Sequence, residues 1–147
     1  MAADFLDILI FEVEGQRHGL PVATVQELLP ALSILPLSGT ASGVEGVINL
    51  RGTIVPVVDV RKRLGMPTRP LALSDHFIVV RSGKSQRVLH VDHATELVRL
   101  DAGALSSVET QGSNGAHSTR VAKVKDGMVV VHELSDLLAT SDDEITP

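Results

Sequence analysis

The sequence has no cysteine, no tryptophan and no tyrosine, and it holds only three phenylalanines in 147 residues. Without cysteine there is no disulfide framework, no thiolate nucleophile and no zinc–thiolate site. With so few aromatic rings, neither a platform for stacking nucleic-acid bases nor an aromatic carbohydrate cleft is expected. The core is therefore predicted to be aliphatic, built from valine, leucine, isoleucine and alanine.

Basic charge and long apolar runs are scarce as well. The chain carries 13 lysines and arginines against 18 aspartates and glutamates, whereas nucleic-acid binding needs a basic surface. No apolar run approaches the roughly 18 residues of a membrane-spanning helix, and no basic region precedes the first apolar run, as a signal peptide would require. We expect a soluble, cytoplasmic protein with no nucleic-acid partner and no membrane insertion. Residues 1–147 are expected to form a single domain with a flexible tail at 139–147.

Short apolar runs separated by turn residues make up most of the chain, and this pattern predicts a mainly β protein. Hairpins at such short intervals favour two packed five-stranded barrels over a parallel sheet. A polar segment at 102–118 is expected to be a mobile loop, and short helices are expected after Asp59 and over 134–138. The predicted strands are 5–13, 17–20, 34–37, 47–50, 54–58, 76–81, 86–91, 94–100, 120–125 and 128–132.

The most informative stretch is 43–65, GVEGVINLRGTIVPVVDVRKRLG. Two β-rich runs flank Arg51 and Gly52, which predicts a hairpin with a positive φ at Gly52. Asn49 is expected to brace the turn through the backbone, and Asp59 to cap the helix that follows. From the residues alone, Arg51 is either a solvated turn residue or part of a contact surface.

The segment 22–29, VATVQELL, lies between two prolines and carries apolar residues at helical spacing. It predicts one to two turns of amphipathic helix. The apolar face of this helix either belongs to the core or lines part of a surface groove for a partner helix. The candidate groove residues are Val22, Leu28 and Leu29.

Residues that could carry chemistry form no catalytic constellation. The sequence has no nucleophile elbow and no phosphate-binding loop. His90, Asp92 and His93 are the one cluster of ligand-type residues, but strand alternation places His93 on the opposite face from the other two. We interpret them as polar strand-end residues rather than as a zinc or nickel site. The sequence therefore predicts no catalytic residue, no cofactor and no metal, and function is expected to lie in contacts.

The stretch 43–65 resembles the signature of the CheW family, the coupling proteins of bacterial chemotaxis-type arrays. The segments LPVATVQELLPALSILPLS before it, and FIVV and VLHVDHATELVRL after it, are similar to the flanking segments of that family. The resemblance runs from 5 to 138 and implies a fold of two intertwined five-stranded SH3-like β-barrels. It also implies a non-enzymatic adaptor between the cytoplasmic tip of a methyl-accepting chemoreceptor and the regulatory domain of a CheA-type histidine kinase.

The resemblance further implies where the chain works and how it binds. An adaptor of this kind is found in the cytoplasm at membrane-associated receptor arrays, with receptor helices in an apolar groove between the barrels and Arg51 at the rim. The alternatives are a subunit of a pilus-motility, developmental or cyclic-dinucleotide pathway, a decoy that caps arrays, and a histidine-based metal sensor. The residues that match contact positions of the family are Val25, Glu27, Gly46, Asn49, Arg51 and Gly52.

Overall fold

The computed structural model describes residues 4–39, 43–112 and 115–138, and most of them lie in strands. The helices α1 (Val60–Arg63) and α2 (Leu134–Leu138) are short, and 3₁₀ turns form at Val22–Thr24 and Ala102–Ala104. No helix in these ranges is long and apolar enough to cross a membrane. The strands are β1 (Phe5–Val13), β2 (Gln16–Pro21), β3 (Val25–Pro30), β4 (Leu35–Pro36), β5 (Val44–Leu50), β6 (Thr53–Asp59), β7 (His76–Ser82), β8 (Ser85–Val91), β9 (His93–Asp101), β10 (Leu105–Gly112), β11 (Gly115–Val124) and β12 (Gly127–Val131).

The strands form two sheets, which define two subdomains. Subdomain 1 has the order β10-β11-β12-β2-β1-β9, and subdomain 2 has the order β3-β7-β8-β6-β5-β4. Neighbouring strands are antiparallel except for the parallel pairs β12–β2 and β6–β8. Because β3 to β8 are inserted between β2 and β9, subdomain 1 is assembled from both ends of the described chain. The expected pair of intertwined β subdomains is confirmed, although each sheet has six strands in the described residues rather than five.

The strand of subdomain 2 that was not predicted is β3, and it replaces most of the helix predicted over 22–29. Only Val22–Thr24 is helical, and β3 then pairs with β7 from Val25 opposite Val80 to Pro30 opposite His76. The helical prediction is wrong because one turn or two of helix is too short to be stable alone. The edge of β7 supplies a full ladder of backbone hydrogen bonds instead.

The strand of subdomain 1 that was not predicted is β10, which lies in the segment predicted to be a mobile loop. It pairs with β11 from Leu105 opposite Ala122 to Gly112 opposite Gly115. The loop prediction is wrong for the described part of 102–118, because an edge hairpin is held by backbone hydrogen bonds and tolerates polar side chains facing solvent. Residues 113–114 and the predicted tail 139–147 lie outside the described residues.

The core is mainly aliphatic, as predicted, although Phe11 and Phe77 are its largest fully buried side chains, and it forms three layers. The middle layer joins the subdomains, since Leu9, Phe11 and Leu20 of subdomain 1 pack with Ile78 and Leu89 of subdomain 2. Each subdomain also has an inner cluster behind its sheet. Burial of one such side chain stabilises the fold by about 1.5–3 kcal/mol. The two sheets are therefore fixed relative to each other by a shared layer of apolar side chains.

Candidate functional site

The turn between β5 and β6 has an unusual backbone. Arg51 has φ 50° and Gly52 has φ 88°, and Leu50 pairs directly with Thr53 across the two-residue turn. Two successive positive φ values are typical of a type I′ hairpin turn, in which a residue with a Cβ is disfavoured by roughly 1–2 kcal/mol. The side-chain oxygen of Asn49 accepts a hydrogen bond of 2.8 Å from the Gly52 amide. The predictions for Gly52 and Asn49 are thus confirmed, and the turn presents Arg51 to solvent.

The Arg51 side chain is held by Glu27 of β3. Nη1 of Arg51 donates to Oε1 of Glu27 over 3.0 Å, and Nη2 donates to Oε2. The guanidinium and the carboxylate therefore form a bidentate ion pair. The side chains are 66% and 32% exposed. The hydrogen bonds from Arg51, together with its charge, lower the pKa of Glu27. Because exposed ion pairs add little stability, the main effect of this pair is to fix the direction of the Arg51 side chain.

Gly46 does not share a surface with Arg51. It is buried in β5 against β4, and a Cβ built on it would lie 2.2 Å from the carbonyl oxygen of Leu35 and 2.8 Å from Cγ2 of Ile34. Real Cβ atoms do not come so close to a backbone oxygen. Gly46 therefore lets β4 close onto β5, and the structure gives it a packing role.

The residues predicted to line a groove on a helix are separated by the strand conformation of β3. Leu28 and Leu29 point to opposite faces of the strand, so they cannot line one surface. Leu28 is exposed, whereas Leu29 packs on the inner cluster of subdomain 2. Val22 and Val25 pack against the middle core layer. Val22, Leu28 and Leu29 therefore do not form one groove face, and that prediction is wrong.

Val22 lies instead in a shallow cavity where the chain passes from one subdomain to the other. We call this cavity of about 290 Å³ the link groove; its lining residues are Asp7, Val22, Leu97, Val98 and Arg99. Leu97 of β9 is 68% exposed there. The Arg99 guanidinium donates to both carboxylate oxygens of Asp7, over 2.8 and 3.2 Å. The link groove thus combines an exposed apolar side chain with a charged rim.

A second apolar surface lies on β4, β5 and β6, beside the Asn49–Gly52 turn. We call it the corner surface; it consists of Leu35, Val47, Asn49, Ile54 and Pro56. These side chains share one face of the sheet, because Leu35 pairs with Val47, Val47 with Pro56, and Asn49 with Ile54. Leu35 and Ile54 are each 63% exposed. Leu35 and Ile54 were not among the predicted contact residues. The run from Ile54 to Val58 is apolar throughout, so its residue types do not show which side chains face outward.

The histidine cluster that the sequence analysis considered is divided between separate interactions. His90 is buried and hydrogen-bonded to two carboxylates, and Asp92 binds Arg61 and Arg69. His93 is exposed and lies edge-on to His76. Within the described ranges, no group of three or more histidine, cysteine, aspartate or glutamate residues is arranged to hold a metal ion. The description as strand-end polar residues holds for His93 but is incomplete for His90.

Comparisons with known proteins agree in sequence and in structure. A family model described as the CheW-like domain matches residues 7–142. The chain is 22% identical over 136 residues to the chemotaxis protein CheW of Helicobacter pylori, covering 92% of this chain and 82% of that protein. It is 28% identical over 126 residues to the chemotaxis protein CheW of Thermotoga maritima, covering 86% and 82%. The scaffolding protein TtCheW from Thermoanaerobacter tengcongensis superposes with a TM-score of 0.81 at 26% identity, covering 98% of this chain and 94% of that chain.

Proposed function

The chain belongs to the CheW-like family, and we propose that it couples a chemoreceptor to a CheA-type histidine kinase as a non-enzymatic adaptor. The observation that carries this proposal is the superposition on a scaffolding protein over 98% of this chain and 94% of the other. The likeness therefore extends over nearly all of both chains and is not confined to one segment. A coupling adaptor in chemotaxis-type signalling is the function that the family, the named relatives and the fold support together.

Two separate apolar surfaces support a bridging role. An adaptor has to bind two proteins at once, and this requires two surfaces that do not exclude each other. The link groove is built on β1 and β9 of subdomain 1 with Val22, whereas the corner surface is built on β4 to β6 of subdomain 2. Exposed apolar side chains in such patches mark protein contacts. Two modest contacts held in fixed relation give avidity across an array.

We assign the receptor to the link groove. The tip of a chemoreceptor is a helical hairpin, and an amphipathic helix binds by laying apolar side chains into a groove. Leu97 supplies an apolar contact, and the Asp7–Arg99 pair supplies charges of both signs at the rim. Such rim charges select the register of a helix more than they add affinity.

We assign the kinase regulatory domain to the corner surface, with Arg51 at its edge. This differs from the expectation that Arg51 lies at the rim of the receptor groove, because Arg51 is not among the residues that line the link groove. The corner surface lies on one face of three adjacent strands, which suits a contact with another folded domain better than with a single helix. Arg51 lies in the turn next to Asn49, and its forked pair with Glu27 fixes the direction of its donors. Glu27, Asn49 and Arg51 thus act together as one edge of the docking surface, and the adaptor works in the cytoplasm at receptor arrays.

Reconstitution tests the proposed function directly. The purified chain is mixed with a soluble receptor signalling fragment and a CheA-type kinase, and the autophosphorylation rate is measured with and without the chain. We expect the rate to change only when all three proteins are present, because the adaptor acts by holding the other two together. Titration calorimetry of the chain with each partner gives the separate affinities. Absence of binding to both partners would refute the adaptor function.

A further inference from the structure

His90 of β8 has a carboxylate at each ring nitrogen. Nδ1 lies 2.7 Å from Oε2 of Glu45, and Nε2 lies 2.7 Å from Oδ2 of Asp75. Ionised carboxylates only accept hydrogen bonds, so each ring nitrogen has to carry a hydrogen. The histidine is only 7% exposed. In this arrangement the ring is an imidazolium cation that joins two anions inside the protein.

The two carboxylates belong to different parts of subdomain 2. Glu45 is in β5, whereas Asp75 ends the connector over 64–75 that leads into β7. The Asp75 side chain is fully buried and also accepts two hydrogen bonds from Arg69, over 2.7 and 3.0 Å. The Ala72 amide donates to it over 3.0 Å. The connector end is therefore firmly anchored, and His90 is the group that ties it to β5.

The surroundings of His90 are predominantly acidic. Asp59, at the end of β6, lies opposite His90 in the sheet and interacts with its charge. Phe77 of β7 packs edge-on against the ring, with centroids 5.4 Å apart. Burial by itself lowers the pKa of His90, but the hydrogen bonds to Glu45 and Asp75 and the charges of both carboxylates outweigh it, so the pKa is raised. Arg69 is the cation on the far side of Asp75.

We propose that His90 is a proton-dependent latch that holds β5 against the connector and releases it when the ring loses its proton. A neutral ring has one hydrogen, so either Glu45 or Asp75 would face a bare nitrogen lone pair. Asp75 also accepts hydrogen bonds from Arg69 and from the Ala72 amide and stays in place, whereas the Glu45 side chain bonds only to His90 within the described residues and can turn to solvent. Deprotonation therefore releases β5 rather than the connector.

The released part of β5 carries the weakest strand of the sheet. The register of β5 shifts between Val44 and Gly46, at Glu45, and within the described residues β4 pairs with β5 only at Leu35 and Pro36. Opening of this edge disturbs the half of the corner surface that contains Leu35. The consequence for kinase docking rests on the proposed function, whereas the latch itself does not.

The sign of the pH dependence follows from proton linkage. The closed state binds the proton more tightly than the open state, so closing is fully favoured below the ordinary histidine pKa of 6.5 and weakens as pH rises through the raised pKa of His90. For each unit by which the pKa of His90 exceeds its ordinary value, loss of the proton increases the equilibrium constant for opening about tenfold.

Nuclear magnetic resonance on the isolated chain tests the latch. The first measurement is the titration of the His90 ring, which is expected to have a pKa above 6.5 and hydrogens on both ring nitrogens at lower pH. The second is hydrogen exchange of the β4 and β5 amides, corrected for intrinsic base catalysis. We expect their protection to fall as pH rises through the pKa of His90, while the amides of β1 keep theirs.

Three variants make the test specific. His90→Gln should show fast exchange at the β4–β5 edge that no longer depends on pH, and His93→Gln, at an exposed histidine, should behave as wild type. Glu45→Gln removes one anion and should move the transition to lower pH, which keeps the test available even if His90→Gln does not fold. A His90 pKa at or below 6.5, or β4–β5 protection that is flat in wild type, would overturn the latch.

Discussion

Arg51 at the tip of the β5–β6 hairpin binds Glu27 of β3 through both of its terminal nitrogens, although the two residues are 24 positions apart. Glu27 lies in β3 at one edge of the sheet, whereas Arg51 lies in the turn after β5, which is next to the strand at the other edge. Both were predicted as contact residues of one docking surface, but the forked hydrogen bond between them was not predicted. The pair holds the Arg51 guanidinium in one direction.

Reversal of the charge at Arg51 should distinguish a role in partner binding from a role in the stability of the fold. Arg51→Glu places two carboxylates together and is expected to weaken kinase binding, while the melting temperature changes little because both side chains are solvated. Calorimetry and thermal unfolding measure the two effects. A large fall in melting temperature would assign Arg51 a structural role instead.

The swapped double variant Arg51→Glu with Glu27→Arg is the matched control. It restores the ion pair but puts the cation on β3. If Arg51 contacts the partner, binding stays weak in the double variant. If binding returns to the wild-type level, the pair matters only as a brace between β3 and the turn.

Gly46→Ala should destabilise the protein by about 1–3 kcal/mol, because its Cβ would meet the Leu35 carbonyl at 2.2 Å and neither strand can move without breaking the β4–β5 pairing. Gly103→Ala is the control, since its Cβ would make only an ordinary contact of 3.6 Å with the Asp101 side chain. That variant is expected to stay within about 0.5 kcal/mol of wild type. Urea unfolding measures both, and equal stability of the two variants would contradict the packing role of Gly46.

Local turn chemistry explains which parts of this fold were predictable. The signals at Asn49, Gly52 and Asp59 act on neighbouring amides, and the structure shows each of them, including Asp59 accepting from the Arg61 amide over 3.0 Å. The strand state of β3 depends on the edge of β7, which is distant in sequence. The same holds for His90, whose partner Glu45 is 45 positions away. Alternation indicated the sheets but not which distant groups they would bring together.

Substitutions in the two apolar surfaces should weaken the binding of different partners. Leu97→Asp is expected to reduce receptor binding and Ile54→Asp to reduce kinase binding, each by at least about tenfold, since a charge is placed in a buried contact. Both side chains are more than half exposed in the free chain, so stability should change by no more than about 0.5 kcal/mol. Leu73→Asp serves as the control, because Leu73 is almost fully exposed and belongs to neither surface. Loss of the same partner in both variants would contradict the assignment of two separate sites.

The pair formed by buried His18 and half-buried His132 should make the fold sensitive to acid. Nδ1 of His18 lies 2.9 Å from Nε2 of His132, and burial lowers the pKa of each to about 4, with the neighbouring ring adding to the effect on His18. Both rings are therefore neutral in the folded state at neutral pH and have to be desolvated as cations at lower pH. Their folded pKa lies below the ordinary 6.5, so the stability that they permit is fully present above 6.5 and is lost as pH falls toward 4.

Urea unfolding at a series of pH values between 4.5 and 7, on a ~0.5-unit grid, measures this loss through the linkage slope. The carboxylates bound to arginine and His90 also contribute to this slope, but they are shared by the wild type and the variant below, so the difference between the two slopes reports the pair. In a His18→Phe, His132→Phe variant the slope in this window should fall sharply, since the unfolded chain then has two fewer histidines to take up protons, while two phenylalanine rings still pack beside Phe11. His93→Gln, at an exposed histidine, should keep the wild-type slope. An unchanged slope in the double variant would show that the pair does not set the acid limit of the fold.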